Sequence, residues 1–316
     1  MQIKNVIFIG TPQFAVPTLA KLAKTRFKPI LCITQPDKPR GRNQKLQPPE
    51  VKIKAIELGI PILQPQDVNA PDVLEKLKQF KPDIIITAAY GGYLKKAIRH
   101  LPRLGCINLH PSLLPKYRGS APINFALFNG DKTTGNTIFK IVARMDAGPI
   151  LSQKEIKMED SDNYTSLYEK LSQKGAEDIL QVLEKLGKDE IEFILQNDEK
   201  ATFSHKLNHE NFLIDWDKSA WKIQNQVRGL AEIPGAVAAL RHERIKIIET
   251  EILAEESYQN PGSIIAVIKN VGFVVCTSDK NILIKRVQPA GKKIMTAHAF
   301  SLGARIEDGE AFQNGF

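Results

Sequence analysis

Short apolar runs alternating with amphipathic helical patterns in the first 110 residues restrict the folds open to this chain more than any other feature. Residues 3–9 are almost continuously apolar, as a strand buried on both faces requires. A Gly10-Thr11-Pro12 turn follows, then a helical pattern over 14–25 with Pro17 in its first turn. Residues 30–34, 83–89 and 105–110 read as further strands. Residues 51–58, 73–80 and 94–101 read as helices. Strand and helix in alternation predict an α/β fold with a doubly wound, Rossmann-like parallel sheet. A longer helical pattern over 163–186 would pack back on that sheet. Past residue 205 the pattern changes. Strand-like runs at 236–240, 245–252, 262–268, 271–277 and 282–287 follow one another across short polar turns, as in a small antiparallel β-barrel. At roughly 150 residues per domain, 316 residues make about two. We place them at 1–205 and 206–316.

The net charge of +9 is unevenly spread. Residues 1–104 carry +11, residues 105–205 carry −3 and residues 206–316 carry +1. A polyanionic partner for the first third is therefore expected. No apolar run approaches the roughly 20 residues of a membrane span. The start M-Q-I-K-N-V-I-F-I-G is too short and too strand-like for a signal peptide. Cys32, Cys106 and Cys276 form no CxxC pair and no metal-ligand spacing. These features predict a cytoplasmic protein with no membrane segment and no metal, and Cys106 as buried filler.

Chemistry concentrates between Gly105 and Gly148. The stretch G-C-I-N-L-H-P-S-L-L-P-K-Y-R-G-S-A-P-I is followed by the β-rich T-G-N-T-I-F-K-I-V and then A-R-M-D-A-G-P-I. Asn108 and His110 are two apart in a strand, so both project to one face at its end. Asp146 follows in a Gly-bounded turn. An amide donor, an imidazole and a carboxylate can bind a developing oxyanion and move a proton.

The block N-x-H-P-S-L-L-P-x-Y-R-G with M-D-A-G-P-I-L resembles the folate-dependent formyltransferases. Other segments resemble the branch acting on methionyl-tRNA: Gly10 to Ala15, the loop Thr34 to Pro49, Ala88 to Gly91, Ile214 to Trp216 and Gln288 to Met295. The resemblance implies transfer of a formyl group from 10-formyltetrahydrofolate to the amino group of initiator methionyl-tRNA, for translation initiation. It implies catalytic roles for Asn108, His110 and Asp146. It also implies a folate site lined by Ser112, Leu113, Leu114 and Pro115, with the backbone at Tyr90 and Gly91 close to the pterin. The basic segment 35–47 carries Lys38, Arg40, Arg42 and Lys45 among glycine and proline breaks, and reads as a mobile loop suited to phosphates. By resemblance it reaches the tRNA acceptor end, with Arg42 the main contact. The C-terminal domain would be an OB-like barrel offering Lys285, Arg286, Lys292 and Lys293 to the tRNA, on a chain expected to act as a monomer. The sequence departs from the family at V-R-G-L-A-E-I-P-G-A, where relatives commonly have an aromatic residue and P-W-P-G-A.

Two alternatives stay open at this point. Formyltransferases acting on glycinamide ribonucleotide or an amino sugar nucleotide share the Asn/His/Asp block; the small transformylase lacks the barrel and the long basic loop. A non-catalytic RNA-binding protein has no need of the three residues together.

Overall fold

The computed structural model describes residues 2–41, 44–241, 243–307 and 309–314. The chain divides into two compact units. The first comprises 1–122, 133–157 and 168–204; the second comprises 123–132, 158–167 and 205–316.

A seven-stranded sheet organises the first unit. Its spatial order is Ile150–Lys157, Thr133–Lys140, Cys106–His110, Ile84–Ala88, Val6–Gly10, Leu31–Ile33, Ile62–Leu63. The last five in this order run parallel. The expected parallel sheet is extended at one edge by Thr133–Lys140, antiparallel to Cys106–His110, and by Ile150–Lys157, antiparallel to Thr133–Lys140. The chain first reverses direction between His110 and Thr133, and reverses again after Lys140, where the hairpin-like return needs no crossover helix. Val6 through Ile9 and Ile84 through Ile86 are essentially inaccessible, which explains their unbroken apolar sequence. The long helix Tyr164–Lys188 covers the sheet as expected. Asn136 donates to the Leu171 carbonyl at 2.9 Å, and Ser172 to that of Phe14 at 2.8 Å. The helical pattern at 94–101 shortens to Lys96–Arg99.

Neighbouring strands on the two sides of Val6–Gly10 are reached by connections leading in opposite directions. Carboxyl ends of strands at such a switch point form the ligand crevice of open α/β sheets. Here those ends are the Gly10-Thr11 and Tyr90-Gly91 turns, tied by a Thr11 Oγ1 hydrogen bond to the Tyr90 carbonyl at 3.2 Å.

The second unit is built on the antiparallel order Ala236–Leu240, Glu243–Glu256, Lys280–Pro289, Gly272–Cys276, Ile264–Ile268, with Met295–Thr296 also pairing on Lys280–Pro289. The expected strands are present, and Glu243–Glu256 and Lys280–Pro289 are longer than the sequence suggested. The expected barrel is not closed by a ladder between the outer strands among the described residues. The C-terminal segment joins the two edges instead. Ile264 N donates to the Glu310 carbonyl at 2.7 Å, and Gln313 N to that of Ala239 at 2.9 Å. Trp216, Phe273 and Phe312 stack inside, at ring separations of 5.1 Å and 6.0 Å through Phe312. Helices Ala220–Leu230 and Ala297–Ala304, neither foreseen, add Ile223, Val227, Leu230, Ala297 and Phe300 to this core.

Candidate active site

Asn108 and His110 lie at the carboxyl end of Cys106–His110, in register with Phe139 and Thr137 of the antiparallel neighbour. His110 is 4% exposed. Its Nε2 lies 2.9 Å from the Tyr117 carbonyl, which can only accept, so Nε2 carries the hydrogen. Nδ1 is therefore the basic nitrogen of the neutral ring. It faces Asp146 Oδ2 at 3.8 Å, too far for a direct hydrogen bond and near enough for one bound group to reach both. Phe139 meets the imidazole edge-on with ring centres 6.4 Å apart. Thr87 Oγ1 lies 2.6 Å from Asn108 Oδ1 and donates to it, which turns the Nδ2 protons the other way. No protein acceptor for Nδ2 is seen among the described residues, so two amide protons remain for a ligand.

Asp146 has a left-handed backbone, φ +50°. Its Oδ2 accepts from Gly119 N at 2.8 Å. Gly119 itself has φ +123°, and a Cβ there would lie 2.1 Å from the Ser204 carbonyl oxygen. Only glycine presents its N–H to the carboxylate in this position. Further ties to the turn were not foreseen. Gln196 Nε2 donates to the carbonyls of Asp146 and Gly148 at 2.9 Å and 2.8 Å. Gln196 Oε1 accepts from Arg118 Nε and Nη2 at 3.1 Å and 2.7 Å. Arg118 is 1% exposed and also pairs with Asp198, which Arg144 joins. The Arg118 guanidinium first, then Arg144, holds the Asp198 carboxyl below its usual range. Arg118 stood inside the K-Y-R-G motif; Gln196 and Asp198 lie in a segment with no distinctive spacing.

The expected folate residues divide. Ser112 is fully buried, and its hydroxyl donates to the Lys116 carbonyl at 2.7 Å. Leu114, 2% exposed, packs with Phe139 and Ile150, so its side chain faces the core where a pocket wall was expected. Gln153 Nε2 holds the Leu114 carbonyl at 2.8 Å and Thr137 Oγ1 at 2.9 Å. Leu113 and Pro115 are partly exposed, and the Leu114-Pro115 bond is cis. Tyr90 is buried, and burial followed by the Asp67 charge pushes its hydroxyl pKa up. Gly91 has φ +77° and open space where a Cβ would be. Cys106 is filler: burial pushes its thiol to about 12, against the lowering pull of Arg99 and Lys140.

The basic segment, expected as a mobile loop, pairs its flanks as a hairpin, Lys38–Arg40 against Lys45–Gln47. Asp37 anchors its base through Gln64 at 2.8 Å and Lys52 at 2.8 Å. Lys38 and Lys45 are exposed; Arg42 lies outside the described residues. In the second unit Lys285 pairs with Glu249 and Glu251, and Arg286 with Glu232 and Glu249. These two were expected to face a partner, yet carboxylates already hold them. Lys292 and Lys293 are exposed in the following turn, with no ion pair among the described residues. At the departure from the family, Ala231 is buried and Ile233 is 81% exposed.

Among the described residues no cluster of His, Cys, Asp and Glu could hold a metal ion, and no helix is long and apolar enough to cross a membrane.

Residues 4–183 match the family model described as formyl transferase, and residues 206–305 match that described as formyl transferase, C-terminal domain. The chain belongs to the formyl transferase family. It is 46% identical over 305 residues to a methionyl-tRNA formyltransferase of Thermodesulfovibrio yellowstonii, covering 96% of this chain and 97% of the relative. It is 39% identical over 307 residues to that of Bacillus subtilis, covering 97% and 96%. Among solved structures, an N-formyltransferase from Helicobacter canadensis in complex with folinic acid and dTDP-3-aminofucose superposes with a TM-score of 0.68. At 20% identity, over 91% of this chain and all of that one, the likeness concerns the fold.

Proposed function

We propose that this enzyme transfers the formyl group of 10-formyltetrahydrofolate to the α-amino group of initiator methionyl-tRNA, as a cytoplasmic monomer. The observation that carries the reading is the convergence of a donor amide, an oriented imidazole and a clamped carboxylate at one strand end, in a chain whose full-length relatives bear that activity. The donor supplies an activated formyl carbon. His110 Nδ1 takes the proton the attacking amine loses, Asp146 stabilises the imidazolium so formed, and the same proton passes to the folate nitrogen as its bond to the formyl carbon breaks and tetrahydrofolate leaves. Asn108 Nδ2 donates to the oxygen on which charge develops, joined by the newly protonated Nδ1. Leu113, Pro115, Tyr90 and Gly91 border the folate, while Ser112 and Leu114 shape the loop from beneath. Residues 1–205 act as the catalytic domain and 206–316 as a tRNA-contacting domain. Lys38, Arg40, Arg42 and Lys45, with Lys292 and Lys293, supply phosphate contacts.

The test is a formylation assay with purified protein on initiator and elongator methionyl-tRNA and on an amino sugar nucleotide. Preferential formylation of the initiator is expected. Transfer to the sugar nucleotide with none to methionyl-tRNA overturns the reading.

A further inference from the structure

We infer that Gln196, locked by Arg118, is a positioning residue that sets where the Asp146 carboxylate stands relative to His110. The inference rests on the proposed role of Asp146. A glutamine side chain has two amide protons and an acceptor oxygen with two lone pairs. Gln196 uses all four: both protons reach carbonyls of the Asp146 turn, and both acceptor positions take Arg118 donors. Only one amide orientation satisfies this set. Reversing it sets the NH2 against the guanidinium and Oε1 against two carbonyls. Arg118, almost fully buried, thereby dictates which end of Gln196 faces the turn.

The turn needs such a hold. Asp146 sits in the left-handed region, where a residue with a Cβ is strained. Its neighbours Arg144 and Met145 are exposed, so packing does little to confine it. The 194–198 segment grips it at two further places. Ile194 exchanges two backbone hydrogen bonds with Ile150, at 2.8 Å and 2.9 Å, and Arg144 pairs with Asp198. A bridge from buried arginine through one amide to two carbonyls transmits the position of the K-Y-R-G strand to the carboxylate. The same strand supplies Gly119 N to Asp146 Oδ2, and the residue before Arg118 supplies the carbonyl that orients His110. Asp146 and His110 are thus referenced to one short stretch, Tyr117 to Gly119.

Gln196→Glu separates positioning from anchoring. The carboxylate still accepts from Arg118 but cannot donate to either carbonyl of the turn. Positioning predicts that turnover falls about 10- to 100-fold, since a misplacement near 1 Å can cost about 10². KM for methionyl-tRNA and for the folate should move less than about threefold. Amide hydrogen exchange at Met145–Gly148 should quicken while the sheet stays protected. Wild-type turnover in this variant overturns the inference, because an anchor for Arg118 is all it retains. If it does not fold, Arg118→Lys serves, since one ammonium cannot reproduce the guanidinium fork on Gln196 and Asp198. A fall in turnover with unchanged KM supports the inference; unchanged turnover overturns it. Asp146→Asn runs alongside. If it is severe while Gln196→Glu is silent, only the positioning role fails. If it keeps turnover, the proposed chemistry at Asp146 fails, and this inference with it.

Discussion

The Asp146 turn and the basic hairpin at 38–47 belong to the same sheet-bearing unit and are held in opposite ways. The turn is tied by Gly119, Gln196, the Ile150–Ile194 bridge and the Arg144–Asp198 pair. The hairpin has a three-residue ladder, an anchor at Asp37, and exposed side chains at Lys38, Lys45 and Leu46. Proton transfer and oxyanion binding demand groups placed to a fraction of an ångström. Neutralising phosphates requires only that cations be near and free to adjust. The contrast predicts which substitutions act on turnover and which on substrate capture.

Removing a group from the rigid region has the largest expected effect. His110→Ala, Asn108→Ala and Asp146→Asn should each lower turnover by about 10² or more, with folate affinity in equilibrium binding changed by only a few-fold. Loss of folate binding in parallel with turnover would make these residues part of a binding wall and dissolve the contrast. The acid side of the pH profile sharpens it. Asp198 and Asp37 have folded pKa values lowered from 3.8, by the Arg118 and Gln64 hydrogen bonds first. A lowered value means the stabilisation is fully present above 3.8 and fades as pH falls through the folded value. Neither clamp should therefore loosen above about pH 5, and amide exchange at the turn should be flat from there to neutrality once the intrinsic rate is divided out.

Leu114→Ala comes next. Leu114 is packed with Phe139 and Ile150, so the variant should lose about 2–5 kcal/mol in denaturant unfolding. Full stability with weakened folate binding would restore Leu114 to the pocket surface.

Leu114 marks where legibility in the sequence stops. The strand–helix alternation was readable because burial on both faces forces unbroken apolar runs such as residues 6–9. Asn108 and His110 were readable because strand geometry alone puts i and i+2 on one face. Which way Leu114 points depends on Thr137 and Gln153, from strands paired at long range, and no local pattern encodes that. Gln196 was invisible for the same reason: its partners lie 48 to 78 residues away. The closing of the second sheet by residues 309–313 was also unreadable, since those residues form single bridges and no strand.

At the Lys38–Arg40/Lys45–Gln47 hairpin effects should be smaller and salt-dependent. Lys38→Ala with Lys45→Ala should raise KM for methionyl-tRNA several-fold and flatten log(kcat/KM) against log salt. The slope should drop by about 0.7 to 0.9 for each phosphate no longer neutralised. Turnover at saturating tRNA should not move. A fall in turnover at low salt would mean the hairpin helps place the reacting amine, and the two regions would no longer divide the work.

The smallest effects are expected in the second unit, where the same contrast recurs between neighbouring cations. Lys285 bridges Glu249 and Glu251 at 3.2 Å and 3.5 Å, and the Glu249 hydrogen bond is the main reason its pKa is raised. Using it on a phosphate would mean giving up carboxylates already in place, and it would release two like charges toward the polyanion. Lys292 and Lys293 have no ion pair among the described residues and are exposed in a turn. Lys292→Ala should therefore weaken tRNA use by up to a few-fold, with a lower salt slope. Lys285→Ala should leave the salt slope unchanged, because a lysine held by two carboxylates displaces no counterion from the tRNA. Exposed ion pairs contribute only about 0–1 kcal/mol, so neither variant should unfold measurably earlier. A larger tRNA defect for Lys285→Ala than for Lys292→Ala would mean the carboxylate network opens on binding, and that local pairing in the free protein does not decide which cations meet the substrate.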